Sequence, residues 1–551
     1  MGDGDTIAAF IAQRATDDSA GLRFEDQSWT WREIVAEMQT RAALLRDAVG
    51  ERTPFHVGVL LDNVPEFVFL LGGVALSGAV LVGINPTRRG AELARDITHT
   101  DCQVVITDSA HAELLAGLDL GAANDHVLEY DGAAYAAQLE AARTSAPVHA
   151  DVQPSDLFLL IFTSGTSGAP KAVQMSHGRA CGVIGGMGFT ADDVLYCPMP
   201  LFHGNALNAI IFPALATGAT IVLRRKFSAS AFLPDVVHYG ATFSSTVGRA
   251  LAYILATPPT DHDRDNPLKV VLAPESSTPD IKAFGKRFGC YVVAGYGSSE
   301  NAVIMVPKPG LPKDALGEPL PGLDVAIVDP DTGEERPRAR FDEQGKLCNA
   351  EEATGEIVGR TALNRFEGYY KNEEATRART RNGWYWSGDL GYRDEAGIFY
   401  FAGRSADWIR VDAENFAGAP VERILERFPG AHGVAVFGVP DEHTADDQVM
   451  AVLEVDNPAA FDAAAFDAFL AEQPDLGTKW APRYVRVTPQ MPVGATQKTD
   501  KTALRTERWN TTEPVWWRPE RNDALAPMTA DDVRMLHERF VANGRAGVVG
   551  Q

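Results

Sequence analysis

The stretch Leu160–Val173, "LIFTSGTSGAPKAV", decides how the rest of the chain is read. An apolar run, Leu157–Phe162, has the length and β-rich composition of a buried strand. Thr163, Ser164, Gly165, Thr166, Ser167 and Gly168 follow, then Lys171 just beyond Pro170. Glycines let successive amide N–H groups point into one concavity, and hydroxyls add donors with little bulk. Such a nest suits phosphate oxygens, with Lys171 as a point charge. The alternative is a Gly/Ser surface loop. The spacing is not that of a P-loop, which sets a Lys-Ser/Thr pair after the last glycine.

Outward from this loop, short apolar runs alternate with helical patterns. Strands are expected at His56–Leu61, Gln103–Thr107, Ala219–Leu223, Lys269–Leu272 and Tyr291–Ala294. The stretch Trp31–Val49 reads as an amphipathic helix. Thr30 and Glu33 form its capping box, and Ile34, Met38, Ala42 and Leu45 share one face. This alternation predicts α/β layers with largely parallel sheets. The nineteen-residue run Phe67–Asn85, broken by Gly72, Gly73, Ser77, Gly78 and Gly83, is expected as a buried helix, a turn and a buried strand rather than a membrane span.

The pattern changes near Phe401–Phe416. Beyond it lies a smaller α+β unit, with a helix at Pro420–Phe428, strands at Val434–Val439, Val449–Val455 and Tyr484–Val487, and a helix near Ala459–Ala471. "EPVWWRPERN" is expected as a linker. Thr529 then caps a docked terminal helix bearing Val533, Leu536 and Phe540.

The chain has 551 residues, 45% hydrophobic, and a formal net charge of -24. That length implies more than one core. The charge argues against a general nucleic-acid or anionic-membrane binder. Five scattered cysteines without metal-ligand spacing are expected as buried free thiols in a reducing, cytoplasmic compartment. The acidic start has no secretory pattern.

Three further stretches bear on chemistry. "GYGSSE" ends in Glu300, a hard carboxylate suited to Mg²⁺. "YWSGDLGY" carries Asp389 on a Gly-flanked turn, where it could accept both ribose hydroxyls. "AGRSADW" carries Arg404 and Asp407. Singly, each is matched by a structural reading: an exposed Glu, a turn Asp, a capping Asp. In this order, with the loop, they resemble the adenylate-forming (ANL) superfamily of acyl-CoA synthetases, adenylation domains and luciferases. "NVPEF" (Asn63–Phe67), "MPLFHGNAL" (Met199–Leu207), "FGCYVVAGYGSSE" and "ENF" (Glu414–Phe416) look like actinobacterial fatty-acid–CoA ligases and fatty-acid-transport-type synthetases.

The resemblance implies an α/β fold of acyl-CoA synthetase type. Its large multi-subdomain N-terminal domain (1–404) is followed by a small mobile α+β domain (405–515) with a hinge near Ser405–Ala406, and then a tail (516–551). It implies attack of a substrate oxyanion on the ATP α-phosphate, with ATP, Mg²⁺ and, for one acceptor, coenzyme A as cofactors. Thr163–Lys171 would wrap the β/γ-phosphates, Tyr296 would stack near adenine, and Ser299 would touch the α-phosphate. Glu300 would hold Mg²⁺, and Asp389 and Arg404 the ribose. Lys498, rather than Lys501, would bridge substrate oxygen and α-phosphate when the small domain closes. His203 would border the substrate pocket with Ala273, Pro274, Gly297, Asn301 and Ala302.

The chain departs from the family where Asn301 and Ala302 replace glycines after Glu300. Added volume there favours a small or polar acid. Ala413, beside Glu414 and Asn415, adds a methyl to the acceptor channel, and Gln497 replaces a glycine before Lys498. Three readings follow: an acid–CoA ligase; a biosynthetic adenylating enzyme with an amine acceptor (an amide ligase or a nitrite-activating diazotase); and a non-catalytic nucleotide-binding relative. The set Lys171, Glu300, Asp389, Arg404 and Lys498 argues against the last. The partners implied are a small-molecule substrate and acceptor, with no nucleic acid and no stable membrane span; a homodimer is compatible.

Overall fold

A computed structural model describes residues 6–49, 55–163, 170–182, 188–274, 276, 278–308, 310–312, 315–343, 347–404, 408–411, 414–442, 447–473, 476–477, 479–493, 499–520, 523–543 and 545. The chain forms two compact units. One is Met1–Ile304 with Ala362–Gly383, the other Met305–Thr361 with Trp384–Gln551.

In the first unit, the strand Leu157–Phe162 lies in a sheet ordered 127–129, 102–107, 56–60, 80–83, 157–162, 172–176. Its pairs are parallel except the last, where Leu157–Phe162 meets Ala172–Ser176 antiparallel. A second sheet runs 291–293, 270–272, 243–245, 194–197, 220–223, 20–24, 27–30, parallel up to its terminal hairpin. These strands match the expected ones within one residue at each end.

The helix Trp31–Val49 has the bounds read from the sequence, and its capping box is present. The Thr30 amide donates to Glu33 at 2.7 Å and the Glu33 amide to Thr30 Oγ1 at 3.2 Å. Ile34, Met38, Ala42 and Leu45 are fully buried. Against them packs the helix Pro65–Ser77, followed by a left-handed Gly78 and the strand Val80–Gly83, as the glycine-broken run predicts. A Cβ at Gly73 would stand 2.7 Å from Arg41 Cβ, so the missing side chain sets how closely these helices approach. Among the described residues no helix is long and apolar enough to cross a membrane.

In the second unit, antiparallel strands at 305–306, 315–319, 399–404, 384–393, 355–359 and 325–328 pair in that order. A separate sheet orders Gly433–Pro440, Asp447–Glu454, Tyr484–Thr488, Val515–Trp517 and Ala526–Pro527. Both its faces are buried. Val436, Ala451, Leu453 and Val485 pack with Val421, Leu425 and Phe466 of two helices. The alternate residues Phe437, Met450, Val452 and Tyr484 pack with Leu504, Leu536 and Phe540. The terminal helix Ala530–Ala542 starts at the expected capping residue Thr529 and buries Leu536 and Phe540. Each such side chain contributes about 1.5–3 kcal/mol.

The tryptophan-rich stretch expected as a linker is instead part of the sheet. Val515–Trp517 is a strand paired antiparallel with Tyr484–Thr488, and Trp517 is 1% exposed. Prolines on both sides resemble linker punctuation, but the buried Val515 and Trp517 alternate with Trp516 at the two-residue period of a strand. Of the cysteines, Cys102, Cys181 and Cys197 are buried thiols as expected, whereas Cys290 is half-buried and Cys348 is exposed.

Candidate active site

The first unit brings most of its expected site residues to one kind of place: the carboxyl ends of parallel strands, where α/β sheets bind ligands. Ser245, Leu272 and Val293 are aligned across three neighbouring strands. The chain leaves that edge at Thr246, Ala273 and Ala294. Ala273 is fully buried, its amide donating to Val293 O at 2.8 Å, and Pro274 follows half-buried. The segment from Ala294 carries Tyr296 and Ser299, both half-buried, the exposed Gly297, and then Glu300.

The loop bearing His203 leaves the same sheet after Val194–Cys197. Three contacts shape it. Asn63 Oδ1 accepts from the Leu201 amide at 2.8 Å, and Asn63 Nδ2 donates to Met199 O at 2.8 Å. Gly83 passes so near that a Cβ would stand 3.1 Å from Phe202 O. Ser245 Oγ donates to Asn205 Oδ1 at 2.7 Å. His203 is half-buried beside Phe202, with ring centroids 5.8 Å apart. A π-helical turn, Leu207–Ile211, follows; such turns gather at functional sites.

The candidate phosphate loop leaves the carboxyl end of Leu157–Phe162. Its neck is closed by the Thr163 amide donating to Lys171 O at 3.1 Å. Thr163 and Lys171 are half-buried; Ser164, Gly165, Thr166, Ser167 and Gly168 lie outside the described residues. Glu300 is 8% exposed. Tyr369 Oη donates to its Oε1 at 2.6 Å, and Arg179 donates to its backbone oxygen at 3.0 Å. Burial first, and then the Glu300 carboxylate, push the Tyr369 phenol above its ordinary pKa, so it stays a donor.

Asn301 lies in the left-handed region at φ +52, its backbone oxygen accepting from Arg365 at 3.4 Å. Asparagine tolerates that conformation better than other residues with a Cβ, which gives a backbone reason for its presence there. Its Nδ2 is buried without a partner, and Ala302 is fully buried.

In the second unit, Asp389 and Arg404 are direct cross-strand partners. Asp389 sits within the strand Trp384–Arg393 rather than on a free turn. The expected turn survives as a distortion: Gly388 has φ +72, and the register shifts between Leu390 and Gly391. Three hydrogen bonds hold it. Gly388 N–H donates to Glu356 Oε1 at 2.8 Å, Ser387 Oγ donates to Ile357 O at 2.7 Å, and the Asp389 amide donates to Ser387 Oγ at 3.0 Å. Glu356 escaped the reading of the sequence. Its one signal is a carboxylate inside Gly355–Gly359, a strand whose every residue is buried.

Lys498, Ala413, Asp407 and Gln497 lie outside the described residues; the strands place Arg404, Glu414 and Asn415 by backbone alone. Lys501, the competing lysine, is not a solvated charge. Its ammonium pairs with Glu422 at 2.7 Å.

The family "AMP-binding enzyme" matches residues 9–370. Steroid-22-oyl-CoA synthetase of Rhodococcus jostii (strain RHA1) is 50% identical over 546 residues, covering 98% of each chain. Medium/long-chain-fatty-acid–CoA ligase FadD17 of Mycobacterium tuberculosis (strain ATCC 25618 / H37Rv) is 45% identical over 517 residues, 93% of this chain and 98% of that one. Among solved structures, the anthranilate CoA ligase AuaEII with anthranoyl-AMP superposes with a TM-score of 0.78 at 21% identity, over 92% of this chain and 98% of that one, a likeness of fold. Strand-end geometry and similarity along the whole chain agree: this chain belongs to the AMP-binding enzymes, the adenylate-forming ligases.

Proposed function

We propose that the enzyme activates a bulky, largely apolar carboxylic acid as its acyl-adenylate and transfers the acyl group to coenzyme A. The observation that carries this is the 50% identity with a steroid-22-oyl-CoA synthetase over 98% of both chains. The left-handed turn at Asn301 accounts for that asparagine by backbone conformation, so its presence is not by itself a sign of a narrowed pocket.

In this reading a carboxylate oxygen attacks the α-phosphorus of ATP, the bond to the bridging oxygen breaks, and pyrophosphate leaves. The thiolate of coenzyme A then attacks the acyl carbon and AMP departs. The nucleophile of the first step is already an anion, so orientation and charge neutralisation carry the catalysis. Thr163–Lys171 cradle the β/γ-phosphates, Tyr296 stacks near adenine and Ser299 meets the α-phosphate. Asp389 and Arg404 hold the ribose, and His203 borders the acyl pocket. Lys498 neutralises the charge that builds on the reacting oxygens. Pairing of Lys501 with Glu422 supports Lys498 in that role. The hinge near Ser405–Ala406 and the small domain 405–515 belong to the same proposal, with Ala413, Glu414 and Asn415 beside the thiol's path.

Glu300 fits magnesium. It is a single hard carboxylate, and no group of three or more His, Cys, Asp or Glu side chains able to cage a metal occurs among the described residues. Magnesium held mainly by phosphate oxygens and water asks no more of the protein. Bound there, the ion would neutralise phosphate charge.

The test is pyrophosphate release with a steroid side-chain acid, medium- and long-chain fatty acids, small aryl acids and nitrite. Each is run with and without coenzyme A or an aromatic amine. The expected result is the highest kcat/KM for a bulky apolar acid, with a thioester as product. Turnover restricted to small anions, or an amide as the sole product, would sink the proposal.

A further inference from the structure

The segment Ala362–Gly383 belongs to the first unit although the chain on both sides of it belongs to the second. Within it, six residues run beside the strand that leaves the phosphate loop. Gln174 N–H donates to Gly368 O at 3.0 Å, Tyr370 N–H to Ala172 O at 2.8 Å, and Asn372 Nδ2 to Pro170 O at 3.1 Å. Glu367 accepts from the Ser176 amide at 2.6 Å, and Tyr369 bridges to Val173. From the middle of this run the Tyr369 hydroxyl reaches Glu300, 69 positions away in sequence, at 2.6 Å.

We propose that Tyr369 is a positioning residue for the magnesium carboxylate, holding Glu300 in register with the neck of the phosphate loop. The inference rests on the reading of Glu300 as metal ligand. By donating to Oε1, Tyr369 stops the carboxylate rotating and leaves its second oxygen for the ion. A carboxylate has several low-energy orientations about its terminal torsion, so an unheld one must be ordered when the metal binds. The same residue is strand-bridged to Val173, two residues past Lys171. The carboxylate proposed to meet the metal and the strand that continues from Lys171 are therefore both tied to residue 369, one through its hydroxyl and the other through its backbone. The Tyr369 amide is itself tied down by Thr376 Oγ1 at 3.0 Å.

The experiment titrates Mn²⁺ by electron paramagnetic resonance into the full chain with α,β-methylene-ATP, which cannot release pyrophosphate at the reacting bond. Tyr369→Phe deletes one oxygen and should weaken Mn²⁺ binding about tenfold, the loss expected for one charge-assisted hydrogen bond. Metal-free nucleotide affinity should stay within about twofold. In steady state the Mg²⁺ half-saturation should rise by a like factor, with kcat at saturating Mg²⁺ nearly kept. Thr376→Val, which removes the acceptor of the Tyr369 amide, should weaken Mn²⁺ binding by a smaller factor and covers the case of a misfolded Tyr369→Phe. Wild-type Mn²⁺ affinity in both variants, while Glu300→Gln loses the metal, would overturn the role of Tyr369 and leave the functional reading intact. Full Mn²⁺ binding by Glu300→Gln would remove the metal site and this inference with it.

Discussion

Asn63 holds Leu201 from 138 positions away. Its carboxamide accepts from the Leu201 amide at 2.8 Å and donates to Met199 O at 2.8 Å, so one side chain fixes the loop that presents His203. Asn63→Ala strands the Leu201 N–H and takes the carboxamide donor from Arg224 O and from Met199 O, which keeps the Cys197 thiol at 3.7 Å, at a cost of roughly 2–4 kcal/mol. Urea denaturation should show that loss, and KM for the acid should rise more than KM for ATP. Equal changes in both constants would detach the loop from acid binding.

Glu356 holds the backbone of the turn that carries Asp389. Glu356→Ala should raise KM for ATP about tenfold, a loss on the order of 1.4 kcal/mol, with a smaller change in kcat. Glu356→Gln keeps an acceptor oxygen for the Gly388 amide and should recover most of it. A Gln variant as impaired as Ala would show that charge, not the hydrogen bond, is what matters there.

Lys498→Ala should nearly abolish acid-dependent exchange between pyrophosphate and ATP. Thioester formation from a supplied acyl-adenylate should persist, because the second step does not use that ammonium. Retained exchange would take Lys498 out of the adenylation step.

His177 is fully buried against Phe158, with ring centroids 4.6 Å apart and neither ring nitrogen hydrogen-bonded. Burial lowers its pKa from 6.5 to about 4. Between those values the unfolded chain binds the proton and the folded one does not. Stability therefore falls as pH drops from 6.5 toward 4, by up to about 3 kcal/mol. Asp96 opposes this: burial raises its pKa from 3.8 to about 6, so its contribution grows as pH falls through that window. His177→Phe should flatten the slope of urea-derived stability between pH 7 and 5. An unchanged slope would place the proton uptake elsewhere.

The terminal helix is anchored on a buried ion pair. Arg483 donates to both oxygens of the fully buried Glu442 at 2.8 and 2.7 Å, and Asn543 Nδ2 donates to Glu442 O at 2.9 Å. Glu442→Ala takes the bidentate partner from Arg483, leaving it Asp441 at 3.7 Å, and removes the 3.4 Å contact of Glu442 with Arg539 of the terminal helix; it should cost about 3 kcal/mol. Limited proteolysis should then cut within Ala530–Ala542. The double change Glu442→Leu with Arg483→Met removes both partners of the pair and should restore part of the stability, the remainder being lost where Arg539 and Asp441 give up their contacts with it.

Local pattern sufficed wherever a residue's role depends on near neighbours. The bounds of Trp31–Val49 and its capping pair lie within a few residues of chain, and the parallel strands declare themselves as short apolar runs. The loop at Thr163–Lys171 and the carboxylates Glu300 and Asp389 stand out in the sequence as candidates for the proposed site, because glycines and small hydroxyl residues lie beside them. Val515–Trp517 misled because prolines flank it and three residues are too few for a period to show.

Sequence order nominates candidate phosphate-binding and metal-binding groups, since residue type and close spacing carry that chemistry. It could not announce what aims them. The Tyr369 hydroxyl on Glu300, the Asn63 carboxamide on Leu201 and the Glu356 carboxylate under Gly388 are pairings across 69, 138 and 32 positions. Such contacts exist only once sheets have brought distant segments within 3 Å. Hydrogen bonds of that reach depend on backbone register, and register is settled by the packing of the whole core rather than by any window of residues.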